Sequence, residues 1–561
     1  MTLPARPPPA DFTAHAVSLA AVWLALLLVT GWLGLAAGVS VSRWHLWLNL
    51  AAFCVIAVVA AARGSNRSAG IGAALAVLIV FGLSLLLAAR VFDTSYDGTA
   101  YHQVGVLALR DGWNPFTVPH VVDWSNAAWP GRQWQADKLA DRGLWTDHFP
   151  KASWLLGAIV AAATGSIDAA KWLKGFLAAA ATAALFRGLC AAGIARRLAL
   201  PAAVVAVLSP VVVAQTNTNY VDGVLGCALL VQAGASMAWL VERRRGDLFA
   251  AVVALLLAAN LKFTGLVYAL LLMAMVLAAA WLMRWRPGRR ELALWFGGGA
   301  AALLLVSAQT YGHNALAHGH PFYPVNDPQV MRGQMDDDFL ARGRLGKFLV
   351  ASTQVPAAEK HAAGMRWTLP RLWHYRTVAL GYDVQLAGFG SLFIGSLALA
   401  LVVAAAASLS LARHRRLDRG AATLLLLTAW AVASSLVNPE LWWARYVPQL
   451  WWLPLLAAAL AWRAGWRWLA GLTAAPAALA TALVCLFWWQ DMATVRPATE
   501  RELAARARSG EIAVTNSRGN EPMLFTFARH AEARSARLVV RPLAECTPHR
   551  LGVIELCDPP R

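Results

Sequence analysis

Two carboxylates, two tyrosines and a histidine share one short stretch, Phe92-Asp93-Thr94-Ser95-Tyr96-Asp97-Gly98-Thr99-Ala100-Tyr101-His102-Gln103. Asp93, Asp97 and Tyr101 are four apart, so a continuous helix would carry all three on one face. A carboxylate placed there can take the proton of an attacking hydroxyl, which is general-base chemistry. A plainer reading stands beside it: Asp97 N-caps the amphipathic helix expected over 104–110, which Gly112 and Pro115 stop. Other charged candidates sit at the ends of apolar runs. They are Asp222 in Asn219-Tyr220-Val221-Asp222-Gly223 and Lys262 in Asn260-Leu261-Lys262-Phe263-Thr264-Gly265. Asp222 reads as a helix-dipole partner or as a site residue. Lys262 reads as a snorkelling lysine at a short turn or as a functional membrane charge. His318 and His320, two residues apart beside Pro321, form a weak metal signal without a third ligand, and a rigid turn explains them better.

These residues need a frame. The 561-residue chain is 59% hydrophobic and 14% charged. Soluble domains run at about 45–50% apolar and about 25% charged. A soluble enzyme, a disordered scaffold and a collagen-like fibre are excluded, and a polytopic all-α membrane protein remains. The 27 Trp fit it, since Trp collects at membrane interfaces. A net charge of +19 raises nucleic acid as a partner, but the basic residues come in short clusters between apolar runs. That is the positive-inside pattern.

About 13 crossings are predicted, near 15–38, 44–62, 70–90, 169–188, 198–214, 220–240, 247–261, 263–283, 291–312, 386–411, 421–437, 446–461 and 467–489. Arginine clusters at 63–67, 196–197, 243–245, 284–290, 413–419 and 463–467 fall on one side if the N-terminus is cytoplasmic. The C-terminus is then outside. This parity needs the run 152–164 to be re-entrant or in-plane, since thirteen helical residues reach roughly 20 Å against a core of about 30 Å; the alternative, a tilted true crossing, flips the parity and puts Lys171 and Lys174 inside. The chain divides into three N-terminal helices (1–90), a first outer loop with in-plane helices (91–168) and a transmembrane core (169–312). A second outer loop (313–385), C-terminal helices (386–490) and a small outer α/β segment (491–561) follow. Strands are expected at 511–515 and 536–540. Cys546 and Cys557, the only cysteines in the polar tail, can bridge if the tail faces an oxidising compartment.

With Asp97-Gly98-Thr99-Ala100-Tyr101 early in the first outer loop, His148-Phe149-Pro150-Lys151 before the next apolar run and Ala444-Arg445-Tyr446-Val447-Pro448 near the end, the chain resembles the GT-C superfamily of membrane glycosyltransferases. The nearest branch holds protein O-mannosyltransferases and bacterial aminoarabinose transferases. These motifs span about 91–450 in the family's order. Gly98 stands where the family often has Glu, Phe149 replaces a Pro, and the first long loop is preceded by two extra helices. The resemblance implies an inverting enzyme in a bacterial-type inner membrane, with its active site on the outer face. Its donor is a sugar on polyprenyl phosphate, and its acceptor a lipid, glycan or protein. Asp97 is the implied base. Arg445 and Lys262 would answer the phosphate charge, with Tyr101, His102, Asp93, His148, Lys151, Asp222 and Tyr446 lining the substrates. No cofactor is required; a divalent metal stays open, since two cations can replace it for a monophosphate. No P-loop, GxGxxG, catalytic Ser motif or HExxH occurs. A transporter or flippase is the alternative; the lack of repeats and of acidic residues in mid-helix weighs against it.

Overall fold

The computed structural model describes residues 10–64, 66–128, 143–283, 287–301, 307–326, 337–353, 372, 374–381, 384, 388–515, 521–551 and 554–558. The chain is mostly helical, with a small C-terminal sheet. Among the described residues nine helices are long and apolar enough to cross a membrane: Phe12–Ala36, Arg43–Arg63, Arg67–Ala89, Asp168–Ala191, Asp222–Glu242, Phe263–Leu282, Phe393–Arg413, Arg419–Val437 and Arg467–Ala507. Their outward surfaces are apolar; Leu48, Val58 and Leu87 are 68, 66 and 65% exposed. A soluble protein does not present such continuous apolar area to water.

The other four expected crossings are helical but short or broken. The run at 198–214 becomes Arg196–Val207 and Pro210–Gln215, divided where Pro210 cannot donate a backbone hydrogen bond. The run at 247–261 becomes a 17-residue helix, Arg245–Leu261. Of the run at 291–312 the described residues form the helix Arg289–Ala301 and a π-turn at Ala308–Gly312, with 302–306 outside the described residues. The run at 446–461 opens as 3₁₀ turns around Pro448 and becomes α-helical only at Leu453–Arg463.

Asp222–Glu242 is the central helix and is almost wholly buried. It packs on Leu173–Ala191 through glycines: a Cβ on Gly188 would lie 2.6 Å from the Gly234 carbonyl oxygen. Small residues let two membrane helices approach at backbone distance.

Charged residues sort to the two ends of this bundle. At one end Arg187 grips Asp247 with two bonds of 2.6 Å and reaches Glu242 at 2.9 Å. Arg463 there joins Asp418 to the Ala192 carbonyl, and Arg243 lies 3.5 Å from Glu291. These contacts involve the clusters at 243–245, 413–419 and 463–467, and Arg196 and Arg244 line one cavity with Arg187; Arg284 and Arg286 lie outside the described residues. The helix Arg467–Ala507 starts at this end and runs for 41 residues, about 60 Å. That is twice a hydrocarbon core of about 30 Å, so it delivers the tail to the opposite end.

The short helix Ala152–Thr164 forms where expected and ends at left-handed Gly165. Lys151 before it bonds the Asp147 and Phe149 carbonyls, and Lys171 after it bonds the Val91 carbonyl.

The tail is a four-stranded sheet, ordered β2-β1-β4-β3, with β1 Glu511–Thr515, β2 Arg537–Val540, β3 Thr547–Leu551 and β4 Ile554–Asp558. The expected pair β1 and β2 runs parallel across the helix Glu521–Glu532, and β4 is antiparallel to β1 and β3. Cys546 and Cys557 form a disulfide. Phe92 enters the tail's core beside Leu503, Ile512, Val514 and Phe527, so the tail and the Asp93–Asp97 segment share one apolar cluster.

Candidate functional site

The helix Arg67–Ala89 ends before the acidic stretch, and Val91–Ser95 follow as a buried loop. Asp93 is therefore not on a helical face with Asp97 and Tyr101. Its carboxylate is fully buried and accepts four hydrogen bonds, from the Ser95 N–H and hydroxyl and from the Asn219 N–H and side-chain amide. Asp93 thus ties the 91–95 loop to the loop before Asp222. Gly98 lies against this knot: a Cβ there would sit 2.1 Å from Ser95 Oγ and 2.4 Å from Asp93 Oδ2. An acidic side chain at position 98 has no room, because Asp93 already fills that space.

Asp97 opens a π-helical turn, Gly98–His102, but its side chain makes no cap bond to it. It instead meets Arg445 Nη2 at 3.1 Å, across 348 positions of sequence. Arg445 stands in a 3₁₀ turn, Ala444–Tyr446, with its guanidinium 5.0 Å from the Tyr220 ring and 5.3 Å from each of Trp443 and Tyr446. Its Nε lies 3.9 Å from Asp222 Oδ2. Asp222 is the first residue of the central helix, where the helix dipole favours an anion. It also pairs with Lys262 and accepts from Gln215 Nε2 at 3.2 Å. Lys262 is the single extended residue between Arg245–Leu261 and Phe263–Leu282, and its Nζ lies 3.7 Å over the Tyr446 ring.

Two cations and two carboxylates from four distant segments thus interlock. Asp222 is 3% exposed at its side chain and Asp97 is 18% exposed. Asp97 is the carboxylate that an incoming molecule can meet. Removing one partner of a buried ion pair costs about 3–5 kcal/mol, because the other charge is stranded. An anion entering beside Arg445 and Lys262 would replace what the carboxylates now supply.

Tyr101 stacks near His102 at 4.2 Å and Trp145 at 6.0 Å. Burial, helped by the Asp97 charge, holds its phenol well above the usual range, so it stays a neutral hydrogen-bond group. His102 accepts from Trp154 Nε1 at 3.0 Å, and burial holds it well below the usual imidazole range. It is a neutral spacer behind Tyr101. His148 and Lys151 belong to a neighbouring cluster. His148 Nδ1 lies 2.8 Å from Asn314 Oδ1, and its ring meets His313, His318 and Tyr323. Burial pushes the His148 imidazole down to about 4 and the Lys151 ammonium down to about 7. Phe149 connects this cluster to the centre, touching the rings of Tyr101 and Phe263. His318 stacks on Tyr323, while His320 accepts from the Phe322 N–H. Among the described residues no three His, Cys, Asp or Glu side chains are arranged to hold a metal ion.

Several members were not singled out from sequence. Tyr220 accepts the Asp97 N–H at its hydroxyl, 3.3 Å away, and its carbonyl accepts from Lys174. Its place two residues before Asp222 was the available signal. Trp443 stacks on Tyr446 with centroids 5.1 Å apart. Glu440 feels Lys262 and Arg445, yet burial raises its carboxyl above the usual range. Arg496 donates to Thr94 Oγ1 at 2.7 Å, and Thr526 Oγ1 donates to the Thr99 carbonyl at 2.8 Å. Neither carries a local motif. No protein-family model matches the chain, and no curated protein or solved structure is similar to it.

Proposed function

We propose that the chain is an inverting membrane glycosyltransferase of the GT-C type. It moves a sugar from a polyprenyl-phosphate donor to an acceptor hydroxyl. The reading includes thirteen crossings, a cytoplasmic N-terminus and a site on the outer face of a bacterial-type inner membrane. The observation that carries it is the meeting of Asp97, Arg445, Asp222 and Lys262 at one partly open point.

The reaction breaks the bond between the anomeric carbon and the phosphate oxygen and forms one to the acceptor oxygen. Negative charge grows on the leaving phosphate. Arg445 offers a planar fork to two phosphate oxygens and Lys262 adds a point charge. The phosphate competes with Asp97 for Arg445, which frees both Asp97 oxygens to receive the acceptor's proton. Asp222 keeps Lys262 in place, with Gln215 holding Asp222. The sugar arrives already lipid-linked, so no nucleotide site is needed.

Binding of polyprenyl monophosphate to the purified protein in nanodiscs tests this directly. Arg445→Ala should weaken binding by tenfold or more, about 1.4 kcal/mol or above, with a smaller loss for Lys262→Gln. Unchanged affinity in Arg445→Ala would remove Arg445 from the phosphate.

A further inference from the structure

We infer that the end of the bundle opposite Asp97 holds a second site, for a lipid with an anionic phosphate headgroup. A cavity of about 750 Å³ opens there between the helix ends. Arg187, Arg196 and Arg244 line it with Glu242. Arg187 is held by Asp247 and Glu242 and forms the floor. Arg196 opens the helix Arg196–Val207 and is exposed, and Arg244 lies 3.3 Å from Glu242. Three guanidiniums against two carboxylates, Glu242 and Asp247, leave net positive charge that favours an anion, and phosphate suits the guanidinium fork best.

The cavity does not end at the charges. Ile194 and Trp462 also wall a second cavity, of about 310 Å³. Its lining includes Leu198, Ala202, Leu230, Trp430 and Leu456. The Arg467 guanidinium lies 5.5 Å over the Trp462 ring, at the boundary of the two spaces. Indole at such a boundary matches the membrane interface, where Trp is enriched. A charged mouth adjoining an apolar slot across the shared walls Ile194 and Trp462 is complementary to one amphiphile, headgroup at the arginines and chain in the slot. Basic pockets between membrane helices bind acidic lipid headgroups by this arrangement. Free phosphate would leave the slot unused, and a zwitterionic lipid gains little from the arginines.

The site stands apart from the Asp97 centre and does not depend on glycosyl transfer. The test uses the full-length protein in detergent and three probes: dioleoylphosphatidylglycerol, dioleoylphosphatidylcholine and inorganic phosphate. Native mass spectrometry should show phosphatidylglycerol binding about tenfold or more tighter than phosphatidylcholine. An Arg196→Gln/Arg244→Gln double variant and a slot-filling Ala202→Trp variant should each lose about tenfold in phosphatidylglycerol affinity. If Ala202→Trp does not fold, Val205→Phe, on the same wall, takes its place. Equal binding of the two lipids, or unchanged phosphatidylglycerol affinity in both variant types, overturns the proposal. Displacement of phosphatidylglycerol by inorganic phosphate alone would assign the mouth to free phosphate and overturn the lipid.

Discussion

Asp93 and Asp97 carry the same side chain four residues apart, and the structure gives them opposite work. Asp93 is saturated by four donors, while Asp97 reaches outward to one guanidinium. In Asp93→Asn the new amide hydrogens face donors that need an acceptor. Each buried donor left unpaired costs about 1–3 kcal/mol, so this variant should lose thermal stability and folded yield. A melting midpoint equal to wild type would show that Asp93 is not the knot. Sequence spacing suggested a shared helical face because it could not reveal that the helix stops at Ala89. Asp97, Asp222 and Lys262 were legible one by one from their places beside apolar runs, while Arg445 was reached only through the resemblance to the GT-C superfamily. Their pairing was not legible, because Asp97 and Arg445 meet only through the fold. His148 and Lys151, which the resemblance placed at the substrates, bond Asn314 and nearby carbonyls.

At the scale of elements, the tail acts as a brace on the segment that carries Asp97. Glu500 accepts the Phe92 N–H, Arg496 holds Thr94, and Thr526 holds the Thr99 carbonyl. His530 is buried between Gln103 Oε1, 3.3 Å away, and Asp168 Oδ2, 3.8 Å away. Burial, aided by Arg534, Lys171 and Arg110 and opposed by Asp93, holds it well below the usual imidazole range. Above about pH 6.5 the ring is neutral both docked and undocked, so docking has its full strength. As pH falls below that value the undocked ring takes a proton first, and docking weakens. Limited proteolysis of the tail should therefore speed up between about pH 7.5 and 5.5, and His530→Asn should flatten this dependence. An unchanged slope in His530→Asn would place the acid sensitivity elsewhere. Strands β1 and β2 were legible as apolar runs between turn residues. Strands β3 and β4 were not, because the Pro548 and His549 content of β3 hides its alternation.

Across the whole molecule, length and apolar content fixed the class of protein, while the number of long helices did not follow from the same signal. The runs at 198–214 and 446–461 are interrupted at Pro210 and Pro448, and hydropathy averaged over a window cannot register a single proline. The gathering of the basic clusters at 196–197, 243–245, 413–419 and 463–467 at one end and of the tail at the other is geometry that the membrane reading turns into sidedness. Membrane-impermeant thiol reagents on intact cells should label Cys546 and Cys557 only after reduction; labelling that needs a permeabilised membrane would reverse that sidedness. The central claim is that Asp97 acts on the acceptor while Arg445 and Lys262 hold the donor phosphate. Asp97→Asn, assayed in nanodiscs for both polyprenyl monophosphate binding and sugar transfer, separates these roles. The account expects donor affinity kept or raised, because Arg445 is released, with turnover down by roughly 10²–10⁴-fold. Near-normal turnover, or turnover and donor affinity lost together, would contradict it.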